Sequence, residues 1–140
     1  MTVAEAAALL PWAQREALAL LADDGLGYAE VAGITGGTRR TVAATVAAAR
    51  VGLADRLGGT QVAERLGREC WSALREVAAA LDDEAAVADA ALAVHRARCP
   101  RCREAEQGLR RARQAYAGWR IEPPDDGWRA RTVDRLRDRR

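Results

Sequence analysis

The sequence predicts an all-α fold, in a chain of 140 residues that suits one or two small domains. No stretch shows the alternation of apolar and polar residues that is typical of a β-strand. Instead, 33 residues are alanine, the strongest helix former, and apolar residues recur at helical spacing. Proline, glycine and capping residues separate these stretches, so we expect short helices joined by tight turns.

The first two helices are predicted at the N-terminus. Thr2 and Glu5 have the spacing of a capping box, so a short helix is expected to run from there to Pro11. A second helix starts after this proline and runs to Leu21. The Asp-Asp-Gly sequence at 23–25 is expected to end it.

The next two helices are predicted at about Tyr28–Gly33 and Thr38–Leu57, with Thr38 as the N-cap of the second. The four residues between them, Ile-Thr-Gly-Gly at 34–37, are few enough to turn the helices sharply against each other. Gly58-Gly59 then forms the best candidate for a linker and a domain boundary.

Three further helices are predicted after this boundary. Their expected starts and ends are Thr60 to Leu81, Asp82-Asp83 to Cys99 and Pro100 to about Trp119. Two prolines at 123–124 close the last of them, and an amphipathic stretch follows from Trp128 to Leu136. The predicted organisation is therefore one domain at residues 1–57, a second at 60–119 and a basic tail at 120–140.

The net charge of +2 is a sum over unlike parts of the chain. Residues 1–95 carry 8 Arg and 13 Asp or Glu, whereas residues 96–140 carry 14 Arg and 7 Asp or Glu. A basic end can bind nucleic acid, an acidic protein surface or an anionic membrane, but the interleaved acids also suit a solvated helical face. The sequence shows neither a signal-peptide pattern nor an apolar run that could span a bilayer, which predicts a cytoplasmic protein without a membrane partner.

Several short patterns lie between about residues 10 and 57. They are Leu10-Pro11, Gln14-Arg15-Glu16-Ala17, the segment from Gly25 to Ala32, Thr41-Val42 and Ala48-Ala49-Arg50. As a set they resemble region 4 of the extracytoplasmic-function sigma factors, which recognises the promoter −35 element. The resemblance implies a helix-turn-helix whose second helix, from Thr38 to Arg50, enters the major groove of DNA. It also implies a surface that docks on RNA polymerase.

The predicted reading helix is poor in polar groups. Alanines stand where such sigma factors usually carry basic residues, which leaves five candidate DNA contacts: Thr38, Arg39, Arg40, Thr41 and Thr45. Because residues 10–57 hold 5 Arg and 5 acids, unaided DNA binding is expected to be weak. A second interpretation is a smooth docking face for another helix, and a third is that the alanines are simply good helix formers: Ala43, Ala44, Ala47 and Ala48.

All three cysteines and the only histidine form one candidate metal site. His95, Cys99 and Cys102 have the spacing H-x-x-x-C-x-x-C, in which residues i and i+4 share a helix face and Pro100 brings the last cysteine back on the next turn. Cys70, from a separate predicted helix, completes a Cys3His set, the composition of a structural zinc site. The alternative is a group of buried cysteines with a hydrogen-bonded histidine.

The segment from Cys70 to about Ala117 resembles the zinc-containing anti-sigma domain, whose pattern is an upstream Cys or His, a helical stretch and then H-x-x-x-C-x-x-C. The resemblance implies one structural Zn2+ held by the same four residues, and a following helix that contacts a sigma factor. Trp119 and Trp128, on either side of the two prolines, are candidates to anchor the final helix on the protein or on a partner.

Together these patterns predict a bacterial transcription regulator that acts at initiation through promoter DNA, RNA polymerase or a sigma factor. The alternative is an anti-sigma factor or protein-docking cofactor whose helix-turn-helix no longer binds DNA. An enzyme with a small-molecule substrate is not expected, because the only histidine is assigned to the metal and a four-ligand zinc has no open position.

Overall fold

The structure, a computed structural model, describes residues 1–22, 24–84, 89–119 and Arg135. Within this part of the chain the regular structure is entirely helical, which confirms the predicted fold class. The helices are α1 (Val3–Ala8), α2 (Trp12–Ala22), α3 (Tyr28–Thr35), α4 (Arg39–Gly58), α5 (Arg68–Leu81), α6 (Ala90–Arg98) and α7 (Pro100–Ala117), with one 3-10 turn at Ala63–Arg65. Apart from Arg135, the predicted tail at 120–140 lies outside the described residues, as does Asp23 at the predicted end of α2.

Local capping residues set the starts of α1 and α4, as predicted. The Thr2 hydroxyl accepts a hydrogen bond from the amide of Glu5 at 3.1 Å, and the Glu5 carboxylate accepts one from the amide of Thr2 at 2.9 Å. The Thr38 hydroxyl caps α4 by accepting the amide of Thr41 at 3.1 Å. Helix α3, which lies between α1 and α4 in the sequence, has Gly36 as its C-cap, and the φ of Gly36, 87°, lies in the left-handed region that favours glycine.

The start of α5 corrects the prediction that Thr60 caps a long helix. The Thr60 hydroxyl instead donates to the carboxylate of Asp55 at 2.7 Å, and the same carboxylate accepts the amides of Val62 and Ala63 at 2.9 and 3.0 Å. Asp55 belongs to α4, so these bonds hold the connecting segment against that helix. The next α-helix therefore begins only at Arg68.

The prediction that Asp82-Asp83 cap the following helix is also wrong. Asp82 is the C-cap of α5, and its carboxylate is bound by arginines of two other helices. The start of α6 is set by Asp89, whose carboxylate accepts the amides of Ala91 and Leu92 at 2.9 and 3.3 Å. A residue that sequence patterns assign to a helix start thus ties separate helices together.

One continuous core joins the two halves of the chain. The long helix α4 packs against α1, α2 and α3 and also against α5 and α7. Its buried residues Val46 and Leu53 lie in the same cluster as Leu74 of α5 and Leu109 of α7. Gly58-Gly59, the predicted domain boundary, therefore marks the end of α4, with Gly59 in the left-handed conformation, and the core continues past it.

Small residues let α4 and α7 approach closely. Gly108 of α7 is buried, and a side chain there would place its Cβ only 3.1 Å from the Cβ of Ala54. Close approach of this kind raises the packing density between alanine-rich helices, whose small side chains bury little surface each.

A buried ion pair ties the helix-turn-helix to the second half. The Asp82 carboxylate accepts two hydrogen bonds from Arg50 of α4, at 2.7 and 2.9 Å, and a third from Arg113 of α7 at 3.1 Å. The Tyr28 hydroxyl of α3 donates to the same carboxylate, and the Tyr28 amide donates to Glu84 at 2.6 Å. Four helices therefore meet at one side chain.

The electrostatics of this cluster favour an ionised Asp82. Burial alone would raise the pKa of Asp82, but the hydrogen bonds and positive charge of Arg50, with the bonds from Tyr28 and Arg113, outweigh it and hold the pKa below its usual range. Burial raises the pKa of Tyr28, and its hydrogen bond to the carboxylate raises it further, so the phenol stays protonated as a donor.

Candidate metal centre and nucleic-acid interface

The four predicted ligands lie where three helices meet. Cys70 is in the first turn of α5, His95 is in the last turn of α6, and Cys102 is in the first turn of α7. Cys99 is at once the C-cap of α6 and the N-cap of α7, because Pro100 occupies the first turn of α7 and ends the preceding helix. The structure therefore brings together all four residues from two separate parts of the sequence.

The ligand atoms are spaced as one small cation requires. All four lie within 4.8 Å of one another. The Cys70 sulfur is 3.8 Å from the Cys99 sulfur and 3.5 Å from Nε2 of His95. With Zn–S of about 2.3 Å and Zn–N of about 2.0 Å, a tetrahedral site has S···S edges of about 3.8 Å and S···N edges of about 3.5 Å. The two distances from Cys70 therefore match those of a four-coordinate zinc site.

Glu69 orients the histidine from outside the ligand set. Its carboxylate lies 2.9 Å from Nδ1 of His95, while Nε2 faces the cysteines. A carboxylate on one ring nitrogen fixes the ring and leaves the other nitrogen to bind metal. Sequence patterns did not identify Glu69, because its role depends on how α5 packs against α6.

The thiols have unlike environments. Backbone N–H groups at the start of α7, first that of Cys102 and then that of Arg101, help to lower the pKa of the Cys99 thiol to about 7, as does the Cys70 thiol. Burial raises the pKa of Cys102, and the neighbouring Cys70 and Cys99 raise it further. Cysteine binds Zn2+ as the thiolate, so a zinc ion among these side chains would be held by the form of cysteine that metals require.

Helix α6 depends on this cluster for its position. None of its nine residues is buried, and Val94 is 51% exposed. An ion pair between Arg96 and Glu106 links α6 to α7, and His95 and Cys99 bring it to the cysteines of the other two helices. A nine-residue helix is marginal by itself, so these links have to hold it in place.

The predicted DNA-contacting residues share the start of α4. Thr38, Arg39, Arg40 and Thr41 are exposed, and Thr45 is half-buried. Neither arginine forms an ion pair with another of the described residues, so both guanidinium groups face solvent at the N-terminal turn of the second helix of the helix-turn-helix.

The predicted alanine face is only partly available to a partner. Ala43 and Ala47 are 4% and 0% exposed and pack inside the core of this chain, which removes them from any docking surface. Ala44 is exposed and Ala48 is half-buried. Ala43 and Ala47 are buried because their side chains face the neighbouring helices.

Of the two tryptophans predicted to anchor the final helix, one can be located in the structure. Trp119 is half-buried against the core of this chain, and its ring meets that of Tyr116 edge to face, with centroids 5.8 Å apart. Trp128 lies outside the described residues.

A groove runs between α2 and the start of α4. It is lined by Trp12 and Glu16 on α2 and by Thr41 and Thr45 on α4, among others. Burial raises the pKa of Glu16, and the positive charge of Arg135 partly opposes this shift. An acidic side chain therefore stands beside the surface that is predicted to meet DNA.

The family model for sigma-70 region 4 matches residues 1–52. The N-terminal part of the chain is a sigma-70 region 4 helix-turn-helix domain. The match confirms the expected resemblance to a sigma factor region 4, with bounds that take in α1 and stop within α4, while the extracytoplasmic-function class stays a prediction. Domains of this family contact RNA polymerase and promoter DNA, and they are transcription-factor domains rather than enzymes.

No curated protein and no solved structure matches the chain. The resemblance of the second half to the zinc anti-sigma domain stays a prediction, supported by the Cys/His cluster. None of the helices in the described part of the chain has the length and apolar character needed to cross a membrane.

Proposed function

We propose that the protein regulates bacterial transcription at initiation, with α3 and α4 meeting promoter DNA or RNA polymerase and one structural zinc ion holding α5, α6 and α7 together. The observation that supports the proposal is the exposure of two arginines, Arg39 and Arg40, in the first turn of α4. Helix α4 is the second helix of the region 4 helix-turn-helix, and in helix-turn-helix complexes the N-terminal residues of this helix contact base edges.

The zinc ion would have a structural role. Cys70, His95, Cys99 and Cys102 would hold it, with Glu69 fixing the histidine ring, and four protein ligands leave no open coordination position. Structural zinc contributes folding free energy, of about 10–16 kcal/mol in small peptides at pH 7. This would offset the small area buried by an alanine-rich core.

The DNA part is tested with labelled duplexes from a random-sequence pool, by fluorescence anisotropy at several salt concentrations. Binding is expected to weaken with salt, with a slope of about −0.9 per neutralised phosphate. Arg40→Ala should weaken binding. Arg110→Ala, which removes the same charge from an exposed position on α7, is the matched control. Absence of binding at low salt contradicts the DNA part.

The zinc part is tested by metal analysis of the purified protein. One zinc per chain is expected, together with a loss of metal and of helical circular dichroism in Cys102→Ser. A protein that keeps its full helical content without bound metal contradicts the structural role of zinc.

A second candidate function is that of an anti-sigma factor or docking cofactor that does not bind DNA. The observation in its favour is the balance of charge in residues 10–57, where 5 Arg face 5 acids. Purified sigma factors and RNA polymerase, passed over the immobilised protein, separate the two functions. Retention of a free sigma factor together with absence of DNA binding favours the second.

A further inference from the structure

The outward surface of α4 changes character after its first turn. From Arg39 to Ala48, the inward positions are apolar and buried, and the outward ones carry small side chains: Thr41, Ala44, Thr45 and Ala48. Arg39 and Arg40 precede these residues. If α4 enters the major groove, two guanidinium groups and a row of small groups therefore face the base edges.

The threonine hydroxyls on this surface are bonded to their own helix. The Thr41 hydroxyl accepts the amide of Thr38 and donates to the carbonyl of Thr38, both at 2.8 Å. The Thr45 hydroxyl donates to the carbonyl of Thr41 at 2.9 Å. A hydroxyl has one donor, so neither threonine has a free donor for a base. The Thr45 oxygen keeps acceptor lone pairs, and the methyl groups of Thr41 and Thr45, with that of Ala44, are available for apolar contact.

Within the major groove, the thymine C5-methyl is the base feature that packs against Ala and Thr methyl groups, whereas Arg pairs with O6 and N7 of guanine. Helix α4 contains no Asn, Gln or Glu, the side chains that pair with adenine or accept from cytosine, and its one Asp, Asp55, binds the segment after α4. The donors and methyl groups of this surface therefore suit guanine and thymine.

We propose that α4 reads a guanine through Arg39 or Arg40 and the methyl groups of adjacent thymines through Thr41, Ala44 and Thr45. This inference rests on the proposed DNA binding and names the base pattern that the same surface would select. Four residues of helix rise about 6 Å, or about two base steps at 3.4 Å each, so the guanine and the first thymine should lie within about two base pairs of each other.

The experiment first selects bound duplexes from a random pool and then replaces each thymine of the selected site with deoxyuridine, which removes only the methyl group. At one or more thymines near the guanine, this change should weaken binding about fourfold, the factor expected for one buried methyl group. Ala44→Gly should reduce the ratio between thymine and deoxyuridine duplexes towards one. Ala91→Gly, at an exposed position on α6, is the matched control and should keep the ratio.

Binding that is indifferent to deoxyuridine at every position overturns the inference and leaves the proposed DNA binding intact. A selected site without thymine near a guanine overturns it equally. Failure to select any duplex at low salt overturns the proposed DNA binding and this inference together. Circular dichroism of Ala44→Gly shows whether α4 is kept, and a second variant, Thr45→Ser, removes one methyl group without adding a glycine to the helix.

Discussion

Replacing Asp82 with alanine is expected to lower the free energy of unfolding by about 3–5 kcal/mol. The side chains of Arg50 and Asp82 are only 7% and 13% exposed, so the substitution leaves a guanidinium group buried without its partner. The Tyr28 hydroxyl also loses its acceptor. Removing one member of a buried pair costs far more than removing an exposed one, for which about 0–1 kcal/mol is typical.

Urea unfolding followed by circular dichroism, at neutral pH and with saturating zinc in every sample, measures this effect. Asp83→Asn is the matched control because Asp83 is the exposed neighbour of Asp82 in the sequence and its side chain forms no ion pair with the described residues. It should change the free energy by less than about 0.5 kcal/mol. If Asp82→Ala costs no more than this control, the ion pair does not join the two halves.

The Asp82 carboxylate also predicts a pH dependence. Because its pKa is held below the usual range, its contribution to stability is fully present above the pKa of the unfolded chain, about 4, and is lost as pH falls through the lower pKa of the folded state. The difference in unfolding free energy between the unsubstituted protein and Asp82→Asn should therefore stay constant from about pH 5 to pH 8. Both proteins keep the same metal ligands, so the acid sensitivity of zinc binding cancels. A difference that varies within this range contradicts the assignment.

Three further predictions concern the metal centre and the helix crossing. Glu69→Gln should weaken zinc affinity by about 10- to 100-fold without unfolding the protein, because its carboxylate orients the histidine ligand; competition with a chelating dye measures this, and an unchanged affinity contradicts the role. Removal of zinc should make the amides of residues 90–98 exchange at least about tenfold faster than those in the buried part of α4, measured by hydrogen exchange and mass spectrometry, since α6 buries no residue of its own. Equal protection of the two helices would argue against that dependence. Gly108→Val should cost about 1–3 kcal/mol in urea unfolding because its side chain meets Ala54, whereas Gly118→Val, at a position with open space around it, should cost less.

Local patterns predicted the first half of the chain well. The capping residues Thr2 and Thr38 act within one turn of themselves, so their sequence neighbours suffice to place the helix starts. Three members of the candidate ligand set were predictable for the same reason, because His95, Cys99 and Cys102 lie within about two turns and the proline between them ends the first helix, whereas Cys70 joins them only through the packing of α5.

Competing side-chain bonds decided what the sequence did not predict. Thr60 and Asp82 both have the composition of helix caps, but Thr60 binds Asp55 five residues earlier, at the end of α4, and Asp82 binds Arg50 of α4. Glu69 and Arg50 likewise acquire their roles only from packing. A capping preference of about 1 kcal/mol is too small to compete with a buried ion pair or with a carboxylate that accepts three hydrogen bonds.

Helix α4 connects the two candidate sites mechanically. It has 20 residues and so spans about 30 Å, with one face exposed along its first turns and its later turns packed against α5 and α7. Arg50 lies in the packed part and holds the C-terminal end of α5, while Cys70 at the other end of α5 belongs to the metal cluster. A change at the cysteines can therefore reach the reading surface only by moving α5, or α7 with its Cys102, against α4. Because a close-packed core and a buried ion pair oppose that movement, we expect the half that carries the Cys/His cluster to be a rigid support for the helix that is proposed to read DNA.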